Sequence, residues 1–255
     1  MRYSVFRLRR GAVFGSFMLL LLCVVMIATG IPRNFVQTSR RGEKKLPVYS
    51  VETNEKKIAL GINCAWGDED IPVLLEILER YGVRASFFVT GEFARKFPGA
   101  IQAIDEAGHE IGSHSNTHVD LTRLGREAIT EQIREGNRAI TGITGKAVLL
   151  FRTPSGAYNN LVIETIENEG MIPIQWDADS IDYRDPTPAE MHRRIMDKLR
   201  PGSITLFHAG AKNTPGVLPQ IIGAVRAEGY EFAVVGELIH PPPYRLDHEG
   251  RQWKS

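Results

Sequence analysis

The chain has 255 residues, of which 43% are hydrophobic, so it is long enough for one large domain or two small ones with a buried core. Its formal net charge is +1, and acidic and basic residues are interspersed, so nothing indicates a nucleic acid or an acidic polymer as partner. The two cysteines form no disulfide framework, because Cys23 lies in an apolar run and leaves Cys64 alone in the remaining chain.

An uncharged segment near the N-terminus, residues 11–31, follows a basic segment, residues 1–10. Its length exceeds the roughly 18–20 residues that cross a bilayer as a helix, and also the roughly 7–15 apolar residues of a cleaved signal. We therefore expect an uncleaved, single-pass signal-anchor in the cell membrane, with the rest of the protein on the extracytoplasmic side. Cleavage after Gly30, followed by secretion, is the alternative.

The remaining sequence divides into a linker, one domain and a tail. Residues 32–56 are polar and contain one short predicted strand, from Val48 to Val51. Residues 57–239 alternate between apolar strand patterns and helical periodicity and form the predicted domain. Residues 240–255 are polar and rich in proline, so we expect a loose terminal extension.

Strand and helix patterns alternate about seven times, which is typical of a parallel α/β fold. The predicted strands are Lys57–Ile62, Arg84–Thr90, Glu110–Ser113, Ala147–Phe151, Met171–Trp176, Ser203–Phe207 and Glu231–Val235. The predicted helices are Pro72–Arg80, Glu92–Ala107 with an interruption at Pro98, Arg126–Thr141, Asn160–Glu169, Pro188–Leu199 and Leu218–Glu228. We expect a deformed (β/α) barrel of about seven strands. An open doubly wound sheet is the alternative.

Polar residues collect where predicted strands end, and in such barrels the active site forms at the C-terminal ends of the strands. Independent surface turns would not be expected to gather Asp, Asn, His and Arg in this way, so the pattern predicts one shared site. The clusters are residues 63–70, residues 114–118, residues 152–156, residues 177–183 and His208.

His114 and His118 are the clearest candidate metal ligands. If they lie on one helical turn, positions i and i+4 share a face, and both imidazoles reach one cation. Neutral imidazole suits Zn²⁺, with Co²⁺ or Ni²⁺ as alternatives. Catalytic zinc usually has three protein ligands, and we expect the third to be Cys64, Asp68 or Asp70. The alternative is a pair of surface histidines in a polar turn.

In this order, the clusters resemble the motifs of the polysaccharide deacetylases of carbohydrate esterase family 4, the NodB homology domain. The resemblance covers residues 57–239 and is most specific at the histidine motif, residues 114–118. The Trp66-Gly67 pair and the segment from Leu206 to Ala209 resemble the sporulation-associated, PdaB-like branch. The resemblance implies a metal-dependent hydrolase that removes N-acetyl groups from cell-wall or spore glycan, a peptidoglycan-like or chitin-like N-acetylhexosamine polymer.

The resemblance also implies a role for each site residue. His208 protonates the leaving amine, and Asp182 tunes that acid. Arg152 orients the catalytic base, and the backbone N–H of Ser155 stabilises the oxyanion. The positions matched to the substrate pocket are Tyr183, an aromatic wall, and Leu206.

The first motif departs from the family at Asn63 and Cys64, where the resemblance places two aspartates, one a base and one a metal ligand. An amide does not accept a proton from water at useful pH, so the usual base is missing and we expect slow deacetylation. Two rescues are that His208 acts as base and then acid, or that Asp68 or Asp70 replaces the base. The alternative function is a catalytically impaired, membrane-anchored glycan-binding or structural protein of the spore or cell envelope.

Overall fold

Seven parallel strands form the central sheet of the computed structural model, which describes residues 44–255. In spatial order they are β7 (Ile172–Pro173), β6 (Leu150–Phe151), β5 (Glu110–Ser113), β4 (Ser86–Val89), β3 (Gly61–Cys64), β9 (Thr205–His208) and β8 (Ala178–Asp179). Every residue of β3 and β4 is buried, as expected for strands covered on both faces. The sheet is a half-barrel, which confirms the predicted α/β class and the number of parallel strands. One strand differs from the prediction, because β8 belongs to this sheet and the strand predicted at residues 231–235 lies in a separate sheet.

The helices alternate with the strands, and their apolar faces contribute to three buried clusters. They are α1 (Ile71–Arg80), α2 (Gly91–Lys96), α3 (Pro98–Glu106), α4 (Arg126–Thr144), α5 (Asn160–Asn168), α6 (Pro188–Met196), α7 (Thr214–Ala227) and α8 (Val235–Leu238). The predicted interruption at Pro98 is the boundary between α2 and α3, because proline is tolerated in the first turn of a helix. Helix α7 begins earlier than predicted, at Thr214.

Two predicted strands are much shorter in the structure. The segments expected at residues 147–151 and 171–176 pair with each other only over the two residues of β6 and of β7. Strand β7 lies at an edge of the sheet and contains Pro173, which has no N–H to donate to a ladder. Sequence patterns over-extend such edge strands because apolar composition does not report how many residues find a partner.

The N-terminal part of the described chain is built into the fold rather than forming a separate linker. Val48 pairs in parallel with Ile174, and Ser50 pairs antiparallel with Ser203. Strand β2 (Lys57–Ala59) pairs with β10 (Glu231–Ala233) in a second, two-stranded sheet. Residues 44–255 therefore form one unit.

The C-terminal residues differ from the expected loose tail. Strands β11 (Tyr244–Leu246) and β12 (Arg251–Lys254) form an antiparallel hairpin, and β12 pairs in parallel with β1 (Ser50–Val51). The hairpin is fixed by Gln252, whose buried side-chain amide exchanges two hydrogen bonds with the backbone of His240. The polar composition of this segment did not indicate that it pairs with β1, which is about 200 positions away in the sequence.

The predicted anchor at residues 11–31 lies outside the described residues. Within residues 44–255, no helix is both long and apolar enough to cross a membrane.

Candidate active site

The candidate site lies at the C-terminal ends of the central strands. Asn63 at the end of β3 is in register with His208 at the end of β9. His114 follows β5 directly, and Arg152 follows β6, whose last residue pairs with Ser113. Parallel pairing thus brings together four polar residues that are far apart in the sequence, as predicted from the strand-end clusters.

The spacing of the histidine pair suggested a helical turn, but the structure shows a loop. Ser115 and His118 both have left-handed backbone conformations, with φ of 72° and 56°. The loop nevertheless brings the two rings together, with centroids 4.9 Å apart and planes at 73°. Gln132 on α4 holds the loop, because its side-chain oxygen accepts hydrogen bonds from Ser115 Oγ and from the backbone N–H and hydroxyl of Thr117.

The orientation of His114 is set by its Nδ1 atom, which lies 2.7 Å from the carbonyl oxygen of Arg152. Nδ1 therefore carries the proton, and Nε2 carries the lone pair. The Nδ2 atom of Asn63 lies 3.3 Å from this Nε2 and donates to it. Complete burial, and next the neighbouring His118, hold the pKa of His114 well below its usual range, so the ring is neutral.

Arg152 is fully buried beneath the site. Its guanidinium donates to Asn63 Oδ1 at 3.0 Å and to the carbonyl oxygen of Gln175 at 3.1 Å, and it lies 3.9 Å above the ring of Phe88. Burial lowers the pKa of Arg152 to about 9, and the charge of Asp179 offsets part of this effect. Gly61 makes room for this side chain, since a Cβ atom there would lie 2.8 Å from the guanidinium nitrogens.

His208 is hydrogen-bonded to the buried carboxylate of Asp182. The Nδ1 atom of His208 lies 2.7 Å from Asp182 Oδ1, and its backbone N–H donates to Asp182 Oδ2 at 2.6 Å. Thr214 Oγ1 donates to the same Oδ2 atom at 2.7 Å. These contacts fix the imidazole with Nδ1 protonated, and they leave Nε2 as the nitrogen that binds or releases a proton.

Two aromatic rings flank His208. The indole of Trp66 stacks on the imidazole, with centroids 5.2 Å apart and an interplanar angle of 20°. The ring of Tyr183 meets it edge-on, with centroids 5.4 Å apart. Both aromatic residues are exposed, so they form the rim of the site around His208.

The donor set for a metal ion is incomplete. Within residues 44–255, no group of three or more His, Cys, Asp or Glu side chains lies close enough to hold a metal ion. Cys64 is fully buried in the apolar core, and burial raises the pKa of its thiol, so it stays protonated. Asp70 instead accepts a hydrogen bond from the backbone N–H of Gly210 at 2.7 Å. His114 and His118 alone fall short of the three ligands usual for catalytic zinc.

Of the other predicted residues, Ser155 and Leu206 lie on elements that border the site, whereas Asp68 does not. Ser155 is exposed and has a left-handed backbone with φ of 54°, a conformation that non-glycine residues often adopt at functional sites. Leu206 is buried on β9, two residues before His208, so both side chains point to the same face of the strand. Asp68 lines a separate groove of about 1150 Å³ between α1 and α3.

Sequence reasoning missed three supporting residues, which are Trp66 as a contact of His208, Thr214 and Gln132. Trp66 belongs to the first polar cluster, and an aromatic residue in such a loop was an available signal. Thr214 and Gln132 lie on helices, and only the tertiary structure shows which loop each one contacts.

Comparison with known proteins places this geometry in a family. A family model described as polysaccharide deacetylase matches residues 50–174. The solved structure of BA3943, a CE4 family pseudoenzyme from Bacillus anthracis, is 34% identical over 76% of this chain and 68% of that chain, with a TM-score of 0.73. This chain belongs to the polysaccharide deacetylase family. The resemblance seen in the motifs is thereby confirmed, and the PdaB-like branch stays a prediction.

Two curated relatives match most of the length of this chain. The uncharacterized protein YlxY of Bacillus subtilis is 32% identical over 76% of this chain and 60% of its own length. The peptidoglycan-N-acetylglucosamine deacetylase PgdA of Listeria monocytogenes is 30% identical over 83% of this chain and 44% of its own length. The chain thus spans about half the length of these relatives. A mutant of BA3943 with restored enzymatic activity has the same fold, with a TM-score of 0.73.

Proposed function

We propose that this protein recognises the N-acetylhexosamine units of cell-wall glycan, of peptidoglycan or chitin type, and removes N-acetyl groups from them slowly. Membership of the polysaccharide deacetylase family supports the reaction class. The name of the relative PgdA, a peptidoglycan-N-acetylglucosamine deacetylase, supports the glycan. The acid half of the site is complete, since His208 and Asp182 form a hydrogen-bonded pair.

In this reaction, water attacks the acetyl carbonyl, and the C–N bond breaks to give acetate and the free amine of the sugar. His208 delivers a proton from Nε2 to the departing nitrogen, while Asp182 holds the ring and stabilises its charged form. The backbone N–H of Ser155 is the proposed donor to the oxyanion. The proton released by the attacking water cannot pass to Asn63, so it passes to solvent water, which is a much weaker base than a carboxylate.

The environment of Asn63 is the observation that makes the proposed reaction slow. Its oxygen accepts from Arg152 and its nitrogen faces His114, so the amide is held in the position expected for the base. General-base assistance typically contributes about 10²–10⁴-fold, and that factor is missing here.

A glycan-binding protein of the spore or cell envelope without turnover is the second candidate. The specific observation in its favour is that the Asn63 amide nitrogen occupies the lone pair of His114 Nε2, the atom that a metal ion would require. The relative BA3943 is itself described as a pseudoenzyme. According to this alternative, the site still binds glycan but no longer hydrolyses it.

Metal dependence, with Zn²⁺ as the expected ion and Co²⁺ or Ni²⁺ as alternatives, stays a prediction supported only by the adjacency of His114 and His118. Elemental analysis of the purified full-length protein tests it. About one equivalent of metal that disappears in a His114→Ala, His118→Ala double variant supports the site. A metal-free protein, or metal retained by the double variant, contradicts it.

Acetate release from N-acetylglucosamine oligomers, measured beside oligomer binding by calorimetry, tests the function. Slow release that is abolished by His208→Ala supports the deacetylase. Binding without release supports the glycan-binding protein. If the oligomers neither bind nor react, and peptidoglycan fragments also fail, the proposed function is wrong.

We also propose that residues 11–31 anchor the protein in the cell membrane with residues 44–255 outside the cytoplasm. The length of the uncharged run supports this. Mass spectrometry of the native protein tests retention of the segment, and protease treatment of intact cells tests the orientation. A mature N-terminus at Ile31 would show that the segment is cleaved.

A further inference from the structure

Exposed aromatic surface is concentrated beside His208. Within residues 44–255, the large hydrophobic side chains with substantial exposure include only two aromatic ones, Trp66 at 48% and Tyr183 at 43%. Both rings contact the imidazole of His208. Tyr183 matches the aromatic wall that the family resemblance implies, whereas Trp66 comes from the loop after β3 and has no role in the reaction described above. Exposed apolar surface that is concentrated at a site usually contacts a ligand.

The position of Trp66 is fixed by the neighbouring chain rather than by burial of its ring. Asp70, at the other end of the same loop, accepts the backbone N–H of Gly210 at 2.7 Å. Gly210 has a φ of 86°, and a Cβ atom there would lie 3.5 Å from Trp66 Cβ and Cε3. The loop after β3 is therefore fastened to the loop after β9, and the indole is held beside the imidazole before any ligand binds. Such preorganisation lowers the entropy cost of binding.

We propose that Trp66 is a sugar-contacting residue, whose exposed indole forms, together with Tyr183, an aromatic platform around His208 that seats an N-acetylhexosamine ring. This inference rests on the proposed function, because it names the part of the site that holds the sugar. A pyranose ring presents C–H groups whose hydrogens carry partial positive charge, and these suit the negative face of an aromatic ring.

The platform also explains how the protein can bind glycan although it lacks the catalytic base. Stacking on Trp66 and Tyr183 needs neither a carboxylate at Asn63 nor a third metal ligand. We therefore expect glycan affinity to depend on Trp66 even where turnover is slow or absent.

Calorimetric titration of the full-length protein with the tetramer of N-acetylglucosamine tests the platform. Trp66→Ala should weaken binding on the order of tenfold, whereas Trp66→Phe, which keeps an aromatic face, should stay close to wild type. The matched control is Leu149→Ala, because Leu149 is 62% exposed but lies just before β6, at the opposite end of the strand from the site. This control should bind as tightly as the wild type.

Tryptophan fluorescence separates direct contact from support of His208. Ligand binding should change the emission of the wild type, and Trp66→Phe should bind while losing most of that change. This fluorescence measurement also tests contact between Trp66 and the sugar if Trp66→Ala fails to fold. A second titration with a fragment that contains N-acetylmuramic acid shows which N-acetylhexosamine is preferred.

The outcomes distinguish this inference from the proposed function. If the wild type binds the tetramer and Trp66→Ala binds equally well, the platform is wrong and the function stands. If Trp66→Phe retains the full fluorescence response, contact with Trp66 is likewise excluded. If the wild type binds neither the tetramer nor the muramic acid fragment, both proposals fail.

Discussion

The side-chain amide of Asn63 lies 3.3 Å from Nε2 of His114 and donates to its lone pair. In a deacetylase with an aspartate at this position, the same place would hold a proton acceptor. Here one amide links His114 to Arg152, so the centre of the site holds a hydrogen-bonded amide instead of an acid–base pair.

Restoring the carboxylate should restore the missing step. We expect Asn63→Asp to raise acetate release, by a factor on the order of 10²–10⁴ if a general base is all that is lacking. Adding Cys64→Asp should lower the melting temperature and give no further gain in rate, because Cys64 is fully buried in the apolar core rather than in the site. Asn63→Ala is the control and should give no gain. An unchanged rate in Asn63→Asp, together with loss of activity in Asp70→Asn, would place the base on Asp70.

The role of Asp182 in supporting His208 as the catalytic acid can be tested in the Asn63→Asp protein. Asp182→Asn should lower kcat on the order of 10²–10⁴-fold with little change in KM, because the imidazole loses the carboxylate that fixes its tautomer. Thr214→Val removes only one of the three hydrogen bonds to that carboxylate and should have a much smaller effect. Equal kcat values for Asp182→Asn and its parent would show that Asp182 does not tune the acid His208.

Gly61 should tolerate no side chain. In Gly61→Ala the new Cβ atom would lie 2.7 Å from the carbonyl oxygen of Thr205 and 2.8 Å from Arg152, so we expect a loss of about 1–3 kcal/mol in unfolding free energy. Gly142 in α4 is the matched control, because open space surrounds it, and Gly142→Ala should stabilise by about 0.5–1 kcal/mol. Urea denaturation measures both, and a neutral Gly61→Ala would contradict the close packing of Arg152.

His109 should make the protein sensitive to acid. Burial, with Arg84 nearby, lowers the pKa of His109 to about 4, and its Nδ1 atom accepts the backbone N–H of Ala85 at 3.2 Å. Between the ordinary histidine pKa of about 6.5 and this value, the unfolded chain binds a proton that the folded chain does not. Stability should therefore fall as pH falls from about 6.5 to about 4, and this contribution should change no further below that.

Urea denaturation at pH 7 and pH 5 measures this loss. His109→Gln keeps an acceptor for Ala85 but does not titrate, so it should lose less stability between the two pH values than the wild type does. Equal losses in the two proteins would show that His109 is not the group responsible.

Local patterns in the sequence were sufficient for the order of the elements. Strand β5 was predicted with its observed bounds, Glu110–Ser113. The polar clusters after the strands identified Asn63, His114, Arg152 and His208 as neighbours, since the C-terminal ends of parallel strands lie along one edge. The order of the motifs also identified the family, which the comparisons confirm.

Only the tertiary structure decided how those neighbours meet. The histidine loop has two left-handed residues rather than a helical turn, because Gln132 on a distant helix holds it. Cys64 faces the core while Asn63 faces the site, since alternate residues of a strand point to opposite faces. Asn63 contacts residues 51 and 89 positions away, and such contacts depend on strand register, which side-chain periodicity within one segment does not encode.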